Sequence, residues 1–177
     1  MRLTTIACLL LATTSCSAFG GNSALNIHGG VRNLSNDVAT VEDQPVYGIE
    51  GTLGFGDNWG VEGSVFIGEE DGDNLGGLIP KLETSEYALG VRRTFLPNSP
   101  VKLYVGGGVN WMDAELKGLG VNNDSDEGVG GYAHIGAAVA ILMFNVGLDV
   151  RGAVTGAEVG GEDLNYIQAT VFLGFTF

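Results

Sequence analysis

The chain has 177 residues, of which 45% are apolar, 30 are glycine and 4 are proline, and its formal net charge is −13. Glycine at that level without a three-residue period excludes collagen, and the apolar fraction excludes a disordered chain, which leaves one folded domain of moderate size. The acidity disfavours nucleic acid and anionic lipid headgroups as direct electrostatic partners, unless divalent cations bridge them.

The opening stretch "MRLTTIACLLLATTSCSAFGGNS" reads as an export signal: a positive charge at Arg2, an apolar run from Ile6 to Ala12, then small residues. This divides the chain into a signal peptide, 1–20, and a mature domain, 21–177. Two exits are open. Cleavage after Gly20 is one; lipidation at Cys16 is the other, although the leucine usual three positions before a lipidated cysteine is missing. Cys8 falls in the removed segment and Cys16 is either removed or lipidated, so no disulfide is expected in the mature protein.

Beyond Gly20 the recurring signal is a period of two. It predicts eight strands, near Ala24–Leu34, Pro45–Phe55, Trp59–Gly68, Ser85–Phe95, Val101–Met112, Gly130–Ile141, Phe144–Val154 and Asn165–Phe177. The join "AILMFNVG" contains no turn residue, so a single helix across Ala133–Leu148 is an alternative. Against it, the alternation changes parity across Leu142–Met143, as a two-residue hairpin loop requires. Connections alternate between short (Gly56–Asn58, Leu96–Pro100, Leu142–Met143) and long (Ser35–Gln44, Glu69–Thr84, Asp113–Val129, Thr155–Leu164). That asymmetry resembles a membrane barrel with tight periplasmic turns and extended external loops.

One face of the strands is apolar, carrying Ile27, Val31, Ile49, Val61, Leu89, Val105, Ile135, Leu148 and Val171, with Arg93 its single charge. Its ends hold aromatics: Phe55, Trp59, Phe95, Phe144, Phe175 and Phe177 at the short-turn end, and Tyr47, Tyr87 and Trp111 at the long-loop end. Two such girdles mark the two interfaces of a bilayer. The other face carries four acids, Glu50, Glu62, Glu86 and Asp149, against four bases, Arg32, Arg92, Lys102 and Arg151, among small and polar residues. A narrow lumen filled by side chains needs that balance, because unpaired charge there is costly. Glu62 and Arg92 are expected to pair, with Lys102 sharing the carboxylate and Arg32 and Glu50 on the neighbouring strands. A soluble lipocalin-like barrel would reverse the two faces and place the apolar one around a ligand.

With its signal, the run "SPVKLYVGGGVNW" opening a strand after a Pro-flanked turn, and the closing "NYIQATVFLGFTF", the chain resembles the small eight-stranded outer-membrane barrels of Gram-negative bacteria, the OmpA transmembrane-domain-like and opacity-like porin-family barrels. The resemblance covers Gly21–Phe177. It implies an all-β, antiparallel, up-and-down transmembrane barrel in the outer membrane, and a role for Phe177 as the aromatic read by the outer-membrane insertion machinery.

His28 and His134 fall on the inward face without a serine motif of a lipase or acyltransferase, so a polar filling role is expected and catalysis is not. "GGGV" at Gly106–Val109 lies mid-strand, where glycine relieves crowding instead of cradling phosphate. The long loops account for the net negative charge, since the charges of the strands nearly cancel. "EEDGDN" and "NNDSDEG" resemble parts of calcium loops without the full ligand register, so binding of divalent cations there is expected to be weak if present. The reading is an outer-membrane barrel with a structural or surface-interaction role, monomeric, without cofactor. The alternatives are a narrow channel for small solutes or ions, and a soluble or lipid-anchored periplasmic binding protein.

Overall fold

Alternating segments become a ladder wherever two of them meet, and in the computed structural model each predicted strand is paired on both sides. The structure describes residues 23–38, 41–72, 81–117 and 124–177. The signal segment, with Cys16 and the point after Gly20, lies outside them, as do parts of three long connections.

The strands are β1 (Ala24–Val38), β2 (Val41–Phe55), β3 (Trp59–Asp71), β4 (Lys81–Phe95), β5 (Val101–Lys117), β6 (Asp124–Ile141), β7 (Phe144–Val154), β8 (Glu158–Val159), β9 (Glu162–Asp163) and β10 (Tyr166–Thr176). All but β8 and β9 close into one antiparallel barrel, in the order β1-β10-β7-β6-β5-β4-β3-β2. Closure leaves no free edge, which a sheet in lipid cannot tolerate. Strand β1 seals against β10 from Ala24↔Thr176 to Leu34↔Tyr166. The segment 133–148 is a hairpin, with Ile141 opposite Phe144 and a two-residue loop between them, and not a helix.

Most strands run further at the long-loop end than the alternation suggests: β5 reaches Lys117 and β6 starts at Asp124. There the outward positions become charged, as at Lys81, Glu83, Glu115 and Lys117, while Leu82, Ala114 and Leu116 point inward, so the alternation changes sense while the backbone ladder continues. The connection from Thr155 to Leu164 is also not a plain loop. It holds the β8–β9 hairpin, turned by Gly160 (φ 66°) and Gly161 (φ 81°), the two positive φ values that a type I′ turn requires.

The faces separate by chemistry. Ile27, Val31, Ile49, Val61, Leu89, Val105, Ile135, Leu148 and Val171 are exposed on the outer wall. Asn26, His28, Arg32, Glu50, Glu62, Glu86, Arg92, Asn110, Tyr132, His134, Asp149, Arg151, Tyr166 and Gln168 are buried inside. This is the reverse of a soluble carrier. Toward the long-loop end the filling turns apolar: Leu34, Leu82, Met112, Ala114 and Leu116 meet Ala157, Val159 and Leu164 from the segment around β8 and β9. That segment therefore lies over the mouth of the barrel. Two Asp side chains of β6 hold it, Asp126 accepting from the Glu158 amide at 2.9 Å and Asp124 from the Gly160 amide at 2.8 Å.

Candidate functional site

The polar filling of the lumen is the place where chemistry is concentrated, and it is built by inward positions of all eight barrel strands. Glycine makes room for it. A Cβ on Gly106 would lie 2.2 Å from His134 Nε2 and 3.0 Å from Glu62 Oε1, and one on Gly108 would strike the Leu89 carbonyl at 2.2 Å. The "GGGV" run thus opens space for larger residues on neighbouring strands.

Two hubs result. In the first, Arg92 donates from Nε to Glu62 Oε2 at 2.8 Å and from Nη2 to Glu50 Oε1. Glu62 Oε1 accepts from the Tyr132 hydroxyl at 2.7 Å and lies 2.8 Å from His134 Nε2, whose Nδ1 is 2.8 Å from Asp149 Oδ2. In the second, Arg32 donates to Glu86 at 2.8 Å, to Gln168 at 3.1 Å and to Thr84 at 3.1 Å, while the Tyr166 hydroxyl donates to Glu86. Arg151 joins the hubs, 3.6 Å from Glu50 Oε2 and 3.5 Å from Glu86 Oε1. Each guanidinium also stacks on a ring: Arg92 on Tyr104 at 4.0 Å, Arg32 on Tyr166 at 4.2 Å, and Arg151 between Phe66 and Tyr132 at 4.7 and 4.5 Å. Such desolvated cation–π contacts add to the ion pairs.

Four carboxylates face three guanidiniums here. His134, with a carboxylate oxygen at 2.8 Å from each ring nitrogen, can donate toward both only as the imidazolium, which would supply the fourth positive charge. His28 sits apart from this role. Its Nδ1 is 3.1 Å from Thr170 Oγ1 and its ring lies 5.4 and 5.0 Å from Phe66 and Phe172. The His134–Asp149 pair resembles the orienting half of a catalytic triad, but Nε2 meets a carboxylate instead of a nucleophilic hydroxyl. Glu50, Glu62 and His134 place one ligand atom each within 4.8 Å of the others. Both carboxylates already accept from Arg92, so the charge a dication would neutralise is matched by the guanidinium.

Lys102 departs from the expected pattern. It lies half-buried at the short-turn mouth, beside Thr94, Arg92 and Tyr104 in a recess of about 40 Å³, and pairs with no carboxylate among the described residues. The register explains this: Glu62 is level with Gly90, and Gly90 with Gly108, which stands well up β5 from Lys102. Depth counted from the turns does not include the stagger that closing a barrel imposes.

On the outer wall, Tyr47, Phe55, Trp59, Tyr87, Phe95, Trp111, Phe144, Phe175 and Phe177 are all exposed, in two bands. Arg93 rests on Trp59 and Phe95 at 5.6 and 5.3 Å. Above the Tyr47 and Trp111 band, Lys81 bridges Glu69 (2.6 Å) and Glu83 (3.2 Å), and Lys117 bridges Glu83 (2.6 Å) and Glu115 (3.2 Å). Hydrogen bonds from Lys117 and then Lys81 hold the Glu83 carboxyl below its ordinary range. Of the two acidic loop motifs, residues 73–74 and 122–123 lie outside the described residues, while Glu69, Asp124 and Asp126 serve the contacts above.

A closed eight-stranded wall, apolar outside and polar within, is what a lipid-spanning strand barrel requires. Residues 5–177 match the family described as "Outer membrane protein beta-barrel domain". The chain belongs to this family. As an outer membrane protein β-barrel domain it is placed in the outer membrane, and the exposed apolar belt faces its lipid. Its structure is similar to Ail, the attachment invasion locus protein of Yersinia pestis (TM-score 0.61, 16% identity, 89% of this chain and 99% of that one). It is similar also to Neisserial surface protein A (0.60, 14%, 88% and 96%) and to OprG from Pseudomonas aeruginosa (0.59, 18%, 88% and 94%). At these identities the likeness concerns the fold. Comparison with curated proteins gives no match.

Proposed function

We propose that this outer-membrane barrel has a structural or surface-interaction role, with a lumen closed by ion pairs, and that it is not an enzyme. The observation that carries the reading is the continuous chain Asp149, His134, Glu62, Arg92, Glu50, Arg151, Glu86, Arg32, which crosses the lumen between β7, β6, β3, β4, β2 and β1 with no link longer than 3.6 Å. The apolar cap around Val159 and Leu164 lies above it. Water and solutes would have to break several desolvated pairs to pass, at a cost far above thermal energy.

The short-turn end lies on the periplasmic side and the acidic long loops face outward, Tyr47, Tyr87 and Trp111 marking one interface and Phe55, Trp59, Phe95, Phe144 and Phe175 the other. The domain follows an export signal, 1–20, leaving either by cleavage after Gly20 or by lipidation at Cys16, and works as a monomer that engages the insertion machinery through Phe177. Ail has been solved with the heparin analogue sucrose octasulfate. This chain, at −13, is unsuited to a polyanion, so its surface partner is neutral or cationic, with weak divalent cations at the loops.

Single-channel recording in planar bilayers tests the reading: a closed lumen gives no steady conductance. Porin-like steps would replace it with the narrow-channel alternative.

A further inference from the structure

The "AILMFNVG" join, which carries no turn residue, makes a two-residue connection and an unusual one. Leu142 is 92% exposed and has φ 59°, in the left-handed region where glycine is usual, and Ile141, Met143 and Phe144 beside it are exposed too. Four successive bare apolar residues at a turn tip would be costly in water. We propose that this β6–β7 turn is a membrane-inserted corner, seated in the apolar part of the leaflet on the short-turn side, so that the barrel stands tilted.

Three further observations support it. Part of the backbone at this corner is paired with protein: the Met143 carbonyl accepts from the Thr176 amide at 2.8 Å, and the Ala140 amide just before the turn donates to the Pro100 carbonyl at 2.7 Å. Non-helical backbone survives at membrane depth only when its polar groups are satisfied by protein. The patch also continues the lipid-facing belt without a break, because Phe144 packs on Phe175 at 5.0 Å and the outward residues Val146, Leu148, Val150 and Val154 of β7 are all exposed and apolar. Finally, the strand order puts the β2–β3 turn diametrically across the barrel, and that turn is polar, Gly56–Asp57–Asn58, with Arg93 close by on Trp59. One corner is built for lipid and the opposite one for water.

Nitroxide labels at Leu142→Cys and Asp57→Cys, in a chain with Cys8 and Cys16 changed to serine and folded into phospholipid vesicles, read the depth of each corner. Folding of both variants is confirmed by heat-shifted gel mobility. The label at 142 is expected to collide severalfold more with oxygen than with a water-soluble nickel chelate, relative to the label at 57. Equal access of the chelate to both positions overturns the proposal. Spin–spin broadening at 142, the mark of a second chain covering the corner, overturns it as well. These probes report depth and not sidedness, so a failure of the proposed orientation would be told apart from a failure of insertion.

Discussion

Arg92 on β4 donates to Glu62 of β3 at 2.8 Å and, through its other nitrogen, to Glu50 of β2, so one guanidinium ties three neighbouring strands from the inside. Removing Glu62 takes the acceptor from Arg92 Nε and from the Tyr132 hydroxyl and leaves that guanidinium with Glu50 as its remaining carboxylate. Glu62→Ala is therefore expected to destabilise the folded barrel by about 3–5 kcal/mol if the site is dry, and by less if water enters. Denaturant unfolding in vesicles measures the loss, and bilayer recording should show small new openings. Unchanged unfolding and unchanged conductance together would remove the ion pairs from the account.

Gly106 faces the His134–Glu62 contact with no space for a methyl group. Gly106→Ala should cost about 1–3 kcal/mol through forced displacement of those side chains. Gly51→Ala, whose new Cβ would meet nothing within 4 Å, is the matching control and should leave the unfolding midpoint in place. Similar effects from both would mean that strand propensity, and not lumen crowding, is being measured.

Val159 is fully buried beneath the β8–β9 hairpin against Leu116 and Leu164. Burial of a valine contributes about 1.5–3 kcal/mol. Val159→Asp should detach the hairpin locally, giving rapid protease cleavage within 158–163 while the barrel keeps its heat-shifted mobility. Protection equal to the parent chain would show that the cap does not depend on this contact.

Phe177 lies past the end of β10, half exposed, its amide donating to the Ser23 carbonyl at 3.0 Å. Its deletion removes little packing. If the aromatic is a recognition signal, Phe177→Asp should leave refolding in vitro nearly unchanged and sharply lower the amount of assembled barrel in cells, with precursor retained in the periplasm. Normal assembly in cells would dismiss that role.

Glu83 is held in its charged form by Lys117 and Lys81. A lowered carboxyl midpoint contributes stability that is present above the unfolded-state value and is lost as pH falls through the folded-state one. NMR titration of the Glu83 carboxyl should give a midpoint below that of free glutamate, moving back toward it in Lys117→Gln. An identical midpoint in both chains would show that the pair is solvent-separated.

The alternation of side chains determined much by itself. Each barrel strand, the parity change at Leu142–Met143, and the assignment of Glu62, Arg92, His134 and Arg151 to one face follow from a period of two, because a strand has only two faces and lipid accepts one kind of residue. Tertiary structure decided the rest. Which acid meets which base depends on the stagger between strands, and no spacing along the chain encodes that; Lys102, level with Glu62 when counted from the turn, lies out of its reach in the barrel. The cap over the lumen was carried in the sequence only by "VGGE", a two-glycine turn between short polar runs, since the apolar cluster that Ala157, Val159 and Leu164 join is completed by Leu34, Leu82, Met112, Ala114 and Leu116 of β1, β4 and β5. A residue's face is a local property of its strand, whereas its partner is fixed only when the barrel closes.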